Sequence, residues 1–169
     1  MPGIQAQYLG MPLQVADLDH ENLEYFKYCA AHDFHLQACA GCGRLRYPPT
    51  TACPWCATLE SAWRRVEGKG AVHSYTEVHH AIQPGFKEWT PYAVVLVELD
   101  EQRGQPTPDE ALRVIANLVT PELRPEPEQN VAIGKRVRVV FQDLSADFAL
   151  PQFTLTDEPA EGRVWRFPG

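Results

Sequence analysis

Four of the chain's five cysteines fall into two pairs, Cys39-x2-Cys42 and Cys53-x2-Cys56, with ten residues between the pairs. Each Cys-x-x-Cys turn aims two thiolates at one point. Two such turns close together supply the four soft ligands that Zn²⁺ takes in a tetrahedron. The interval is shorter than the ~15–20 residues of the usual template, but a short β-hairpin spans it. Gly43 after the first pair and Pro54 inside the second suit the tight turns of zinc knuckles. Cys39, Cys42, Cys53 and Cys56 are therefore expected to hold one zinc ion. Four thiolates leave no open coordination position, so that metal is structural rather than catalytic.

Two competing readings carry less weight. Cys53-Pro54-Trp55-Cys56 alone is open to reading as a redox pair, since a lowered thiol pKa makes such motifs reactive. A redox pair needs no second Cys-x-x-Cys, and no βαβ pattern surrounds this one. Stable disulfides are disfavoured by a cytoplasmic location. Cys29, His32 and His35 lie just upstream as alternative ligands, but they read more simply as a half-buried helix thiol and surface or packing histidines.

A cytoplasmic location is itself an expectation from the sequence. No stretch approaches the ~20 apolar residues that span a bilayer. The opening MPGIQAQYLGMPLQV has no basic segment followed by a sustained apolar run, so it does not read as a secretory signal. A net charge of −7 argues against holding long nucleic acid as the main task, because phosphate contacts need a basic surface. Fifteen prolines in 169 residues predict short elements and many turns.

Residues 1–16 are uncharged and read as an irregular arm. Asp17 or Asp19 caps a helix running to about His32, with acidic residues in its first turn as the macrodipole prefers. Leu23, Phe26, Ala30 and Phe34 form one apolar stripe on it. The stripe either packs on the chain's own body or docks on another subunit, and the sequence leaves both open.

From Gly68 onward the pattern becomes strands. Ala71–Ala81, Tyr92–Leu99, Arg113–Thr120, Lys135–Gln142 and Pro151–Thr156 are five short extended runs. Val95, Val97, Val137, Val139 and Phe141 are expected inside, and Arg136, Arg138 and Gln142 outside. Five strands without intervening helices read as a small antiparallel barrel, and a five-stranded Greek-key barrel of this size is the OB-fold. The polar, Pro-rich segments 102–110 and 121–129 read as mobile insertions on its rim. The expected fold class is mainly β. Its parts are an arm and helix (1–36), a zinc ribbon (37–67), an OB-fold (68–157) and a C-terminal tail (158–169).

The order of the motifs adds a resemblance. A helix leads into Cys39–Gly43, then Tyr47-Pro48-Pro49, Cys53–Cys56, Gly68-Lys69-Gly70, Ser74-Tyr75-Thr76, Pro91-Tyr92, Val97–Glu101, Asn117-Leu118, Gly134 and Val137–Phe141. Over about residues 20–156 this resembles the acyl-CoA-associated family that joins a rubredoxin-like zinc ribbon to an OB-fold, formerly a domain of unknown function. The resemblance implies an accessory or scaffolding subunit beside thiolase-superfamily enzymes, hydratases or aldolases acting on acyl-CoA esters. The segment between Glu101 and Leu112 is longer than the family's usual turn, and the tail ending RVWRFPG has no counterpart in the pattern.

The residues themselves offer no autonomous active site. Ser74 lacks a Gly-x-Ser-x-Gly elbow, His79 and His80 lie on a strand and so point to opposite faces, and Asp100-Glu101 reads as a solvated turn. A ligand surface is more open. Between residues 44 and 69, Arg44, Arg46, Arg64, Arg65 and Lys69 face only Glu60 and Glu67. That basic ribbon suits the phosphates of coenzyme A, with Arg44, Arg46, Arg64 and Arg65 as the candidate contacts, or simply a solvated face. Nucleic acid is the alternative ligand, since OB-folds and zinc ribbons often bind it, but no aromatic stacking platform backed by further positive charge is evident. A stand-alone acyl-CoA enzyme is the third reading. Self-association and association with a partner both remain open.

Overall fold

The computed structural model describes residues 3–167. It opens with a hairpin where the sequence suggested an irregular arm. Strands β1 (Ile4–Tyr8) and β2 (Met11–Val15) pair antiparallel, from Ile4 opposite Val15 to Tyr8 opposite Met11. Leu9 and Gly10 turn the chain with φ of 50° and 74°, the two positive values of a type I′ turn. Tyr8 then packs edge-on against Phe86 and Trp89, and Val15 packs with Leu23 and Phe148. The apolar alternation of Ile4, Ala6 and Tyr8 with Leu13 and Val15 was the available signal, diluted by the intervening glutamines and prolines.

Helix α1 spans His20–Ala30, and the Asp19 carboxylate accepts the Asn22 N–H as its N-cap. The helix is wedged between modules rather than left open. Leu23 is buried against Val15 and Phe148, and the Phe26 ring meets Phe148 edge-on at 4.6 Å. On another side Tyr25 and Cys29 are buried among Phe34, Tyr47 and Trp63. The Leu23–Phe26 stripe is thus covered by the chain itself and is not a free docking face.

The ribbon is a three-stranded sheet in the order β4-β3-β5, formed by β3 (His35–Cys39), β4 (Leu45–Arg46) and β5 (Ser61–Arg65). The barrel consists of β6 (Lys69–Val78), β7 (Tyr92–Leu99), β8 (Arg113–Leu118), β9 (Arg136–Ser145) and β10 (Phe148–Leu155). It closes in the order β10-β8-β7-β6-β9, with β8 and β10 as its parallel pair, which is the OB-fold arrangement. Val72, Val95, Val97, Leu99, Val114, Leu118, Val137 and Phe153 fill its interior.

Val139 and Phe141 lie on the same strand but are only half-buried. There β9 runs past the barrel beneath the helix and ribbon. Phe141 stacks on His32 at 5.1 Å and meets Phe34 edge-on at 6.2 Å. Arg138 is exposed as expected. Arg136 is not, being 5% exposed beneath an ion pair with Asp100.

One apolar cluster runs through helix, ribbon and barrel, linking Tyr25 and Cys29 with Phe34, Leu36 and Leu45 and on to Val95 and Val97. Polar contacts fix the ribbon–barrel joint. The Glu101 carboxylate accepts the Glu67 N–H at 2.6 Å, while the Gln102 amide accepts from Leu45 N at 2.8 Å and donates to Leu45 O at 3.1 Å. Gly68 makes the joint possible. Its φ is +68°, and a Cβ there would lie 2.4 Å from Val139 Cγ1 and 3.0 Å from Phe34 Cδ1.

Candidate functional site

The two Cys-x-x-Cys turns meet at one end of the ribbon. Cys39 ends β3, Gly43 continues at φ +73°, and the second turn is closed by Cys53 N–H donating to Thr58 O at 2.9 Å and Ala57 N–H donating to Cys53 O at 2.9 Å. The four sulfurs lie within 4.8 Å of one another, with Cys39 Sγ to Cys56 Sγ at 3.5 Å and Cys42 Sγ to Cys53 Sγ at 3.7 Å. A tetrahedron with metal–sulfur bonds of ~2.3 Å has edges of roughly 3.8 Å, so this donor set fits a metal ion without rearrangement.

The surroundings favour thiolate at Cys39 and Cys56, whereas Cys42, although the Arg44 backbone lowers it, is pushed up to about 11 by burial and the neighbouring thiols of Cys53, Cys39 and Cys56. Cys39 Sγ accepts from Gly41 N at 3.3 Å and Cys42 N at 3.5 Å. Its pKa falls to about 6, led by the Cys42 N–H, with the Gly41 N–H adding to it against the opposing cost of burial. The Thr58 hydroxyl and N–H lower the Cys56 thiol in the same way. Cys29 differs sharply. It is buried in the shared core, and desolvation pushes its thiol up to about 12, which makes it an inert packing residue. His32 and His35 are likewise occupied, His32 on Phe141 and Asp143, and His35 stacked 3.9 Å from Tyr28.

The four arginines singled out from the sequence do not converge. Arg44 sits beside the metal turns with its guanidinium 5.4 Å from the Trp55 ring centroid. Arg64 and Arg65 are exposed neighbours on β5, so their side chains leave opposite faces of the sheet, and Arg65 pairs with Asp33 at 2.7 Å. Arg46 is 2% exposed and belongs to the ribbon's interior. Its Nε donates to Gln37 Oε1 at 2.9 Å and its Nη2 to Thr50 O at 2.9 Å, which removes it from any surface patch. A spacing count sees four positive residues, whereas burial divides them.

Glu77, His79 and Glu128 also bring carboxylate and imidazole groups within 4.8 Å of one another. Here the two ring nitrogens face different acids, Nδ1 toward Glu128 at 3.3 Å and Nε2 toward Glu77 at 3.7 Å. The ring bridges two carboxylates rather than aiming one lone pair with them at a common point. His79 and His80 lie beyond the end of β6, not on it.

The chain is similar to known proteins. A scaffold protein of Methanothermobacter thermautotrophicus described as "DUF35 domain-containing scaffold protein" is 31% identical over 107 residues, 62% of this chain and 68% of the relative. The chain belongs to the DUF35 family. Residues 63–142 match the family described as "ChsH2, C-terminal OB-fold domain". A "Probable enoyl-CoA hydratase alpha subunit" of Thermomonospora curvata is 32% identical over 138 residues, 80% of this chain, but the matched region spans only 38% of that longer protein. Among solved structures, a chain of the "Ltp2-ChsH2(DUF35) aldolase" superposes with a TM-score of 0.65 at 28% identity, covering 83% of this chain and 98% of that one. No helix among the described residues is long and apolar enough to cross a membrane.

Proposed function

We propose that this DUF35 chain is a non-catalytic accessory subunit that scaffolds a partner enzyme acting on acyl-CoA esters. The observation that carries this reading is the match over 98% of a chain from an aldolase assembly, joined by a relative described as a scaffold. The partner is an aldolase or hydratase, or a related thiolase-superfamily acyltransferase, in a hetero-oligomer located in the cytoplasm. The ion at Cys39, Cys42, Cys53 and Cys56 is Zn²⁺ in a structural role, since four thiolates in a tetrahedron leave it no position for substrate. Arg44, Arg64 and Arg65 are the ribbon cations left at the surface to steer the phosphates of coenzyme A, and Arg46 is not one of them.

The deciding experiment incubates the purified chain with a panel of acyl-CoA esters, alone and with the partner that co-purifies with it at native expression. Turnover is expected only when the partner is present, and Arg64→Glu with Arg65→Glu weakens CoA-ester use by the complex while leaving metal content intact. Thioester turnover by the isolated chain, retained after complete removal of partner, overturns the accessory reading.

A further inference from the structure

The C-terminal tail is tied across the barrel by ion pairs. Glu158 accepts from Lys69 Nζ at 2.6 Å and lies 3.5 Å from Arg136 Nη2. Arg136 also pairs with Asp100, which pairs with Arg103, which in turn pairs with Glu161. The result is one connected network of three cations and three carboxylates, of which Glu158 and Glu161 come from the tail.

Farther along, the tail is fixed by its backbone. Ile133 N–H donates to Trp165 O at 2.8 Å, Trp165 N–H donates to Ile133 O at 3.1 Å, and Phe167 N–H donates to the Tyr75 hydroxyl at 3.0 Å. The path passes over Gly134, whose φ is +87° and where a Cβ would stand 2.8 Å from Arg163 O. Between Leu155, the last residue of β10, and Trp165 the chain is therefore a strap anchored at both ends and held in its middle by Glu158 and Glu161. Beneath it lies a cavity of about 340 Å³ whose lining includes His73, Glu98, Arg103, Gly134, Arg136 and Glu161.

From this we infer that Lys69, Arg103 and Arg136 form a binding site for a small phosphate-bearing anion, which the tail occupies with Glu158 and Glu161 as an intramolecular stand-in. Without the two tail carboxylates, Asp100 is the one acid still paired with these three cations, Glu67 lies near Lys69, the cavity's Glu98 is paired with Arg113, and Arg136 is nine-tenths buried and oriented by Asp100. Guanidinium and ammonium groups at this density suit phosphate oxygens. The Lys69–Glu158 and Arg103–Glu161 pairs that hold the strap are partly exposed to solvent, so each is weak and the tethered carboxylates are displaceable. This site lies outside the ribbon arginines and does not depend on the identity of any partner enzyme.

Inorganic pyrophosphate is the probe, titrated calorimetrically into the full-length chain and its variants. Glu158→Gln with Glu161→Gln should bind it roughly tenfold more tightly than the unaltered chain, the scale expected when two weak tethered ion pairs no longer compete. The same charge change at two remote exposed positions, Glu60→Gln with Glu122→Gln, should leave affinity unchanged. Adding Lys69→Gln and Arg103→Gln to the tail variant should abolish the gain. In the unaltered chain, pyrophosphate should accelerate tryptic cleavage after Arg163 as the strap lifts. Equal affinity in the tail variant and the unaltered chain overturns the inference, as does a gain that survives loss of Lys69 and Arg103 or is matched by the remote pair.

Discussion

In the barrel, β7 buries every second residue, so that Ala93, Val95, Val97 and Leu99 are each at most 1% exposed. In the ribbon, β5, five residues long against eight, leaves Ser61, Ala62, Arg64 and Arg65 at the surface. The register of β7 follows from this alternation, because a slip of one residue would turn its valines to water. The ribbon has too little apolar surface for that. Its interior contains the Gln37–Arg46–Thr50 hydrogen-bond hub where a larger module would place aliphatic side chains, and its turns are set by four sulfurs. A small module that cannot bury enough surface relies on a metal ion instead.

The largest expected effect therefore falls on the ribbon. Cys53→Ser should remove the metal and unfold that sheet, because apparent metal-binding free energies of structural thiolate sites are on the order of 10 kcal/mol and are folding free energy. Elemental analysis should show about one metal per chain in the unaltered protein and none in the variant, while Cys29→Ser retains it. Because Phe34, Leu36 and Leu45 share a core with the barrel, the barrel's melting temperature should fall as well, yet its strand signal should persist. Full metal occupancy in Cys53→Ser would erase the distinction between the two modules.

A smaller effect tests the barrel. Val97→Ala should cost about 1–3 kcal/mol through lost burial and a cavity, measured by urea denaturation. Arg138→Ala, on the exposed face of β9, should be close to neutral. Equal losses would mean that the barrel, like the ribbon, is not held by alternation.

The same contrast governs what could be read in advance. The convergence of the four cysteines and the burial of Val95, Val97 and Val137 were legible because Cys-x-x-Cys spacing and period-two alternation act over a few neighbouring residues. Arg136 was not. It sits on the outward face of its strand, and only distant Asp100 and Glu158 convert that surface position into a buried one. Arg46 was misplaced for a similar reason, since its partners Gln37 and Thr50 come from other parts of the ribbon. The N-terminal hairpin was missed because Gln5, Gln7, Pro12 and Gln14 masked an alternation whose apolar half is buried by Trp89, Leu23 and Phe148. The helix stripe was visible, but its cover, supplied by β10 and the hairpin, was not.

The smallest effect separates the modules by acid. As pH falls, protons compete with the metal for the ribbon thiolates, so the ribbon should open first. The barrel has its own acid-sensitive contact. The Arg136 guanidinium bonded to Asp100 holds that carboxyl below its usual range, with Nη1 donating to Oδ1 at 2.8 Å. A carboxyl whose pKa is depressed on folding adds stability above its unfolded value of about 4, and that stability is lost as pH falls through the lower folded value. Glu158, lowered chiefly by Lys69, titrates in the same direction. Since the Asp100 side chain is 35% exposed, its contribution is screened and should not exceed about 1 kcal/mol. Asp100→Asn should thus lower the barrel's melting temperature slightly at neutral pH and flatten its decline below about pH 4, while the pH of metal release stays where it was. An unchanged acid decline in the barrel would show that the Arg136 pair adds nothing to it, and a shifted metal-release pH would show that the two modules titrate as one.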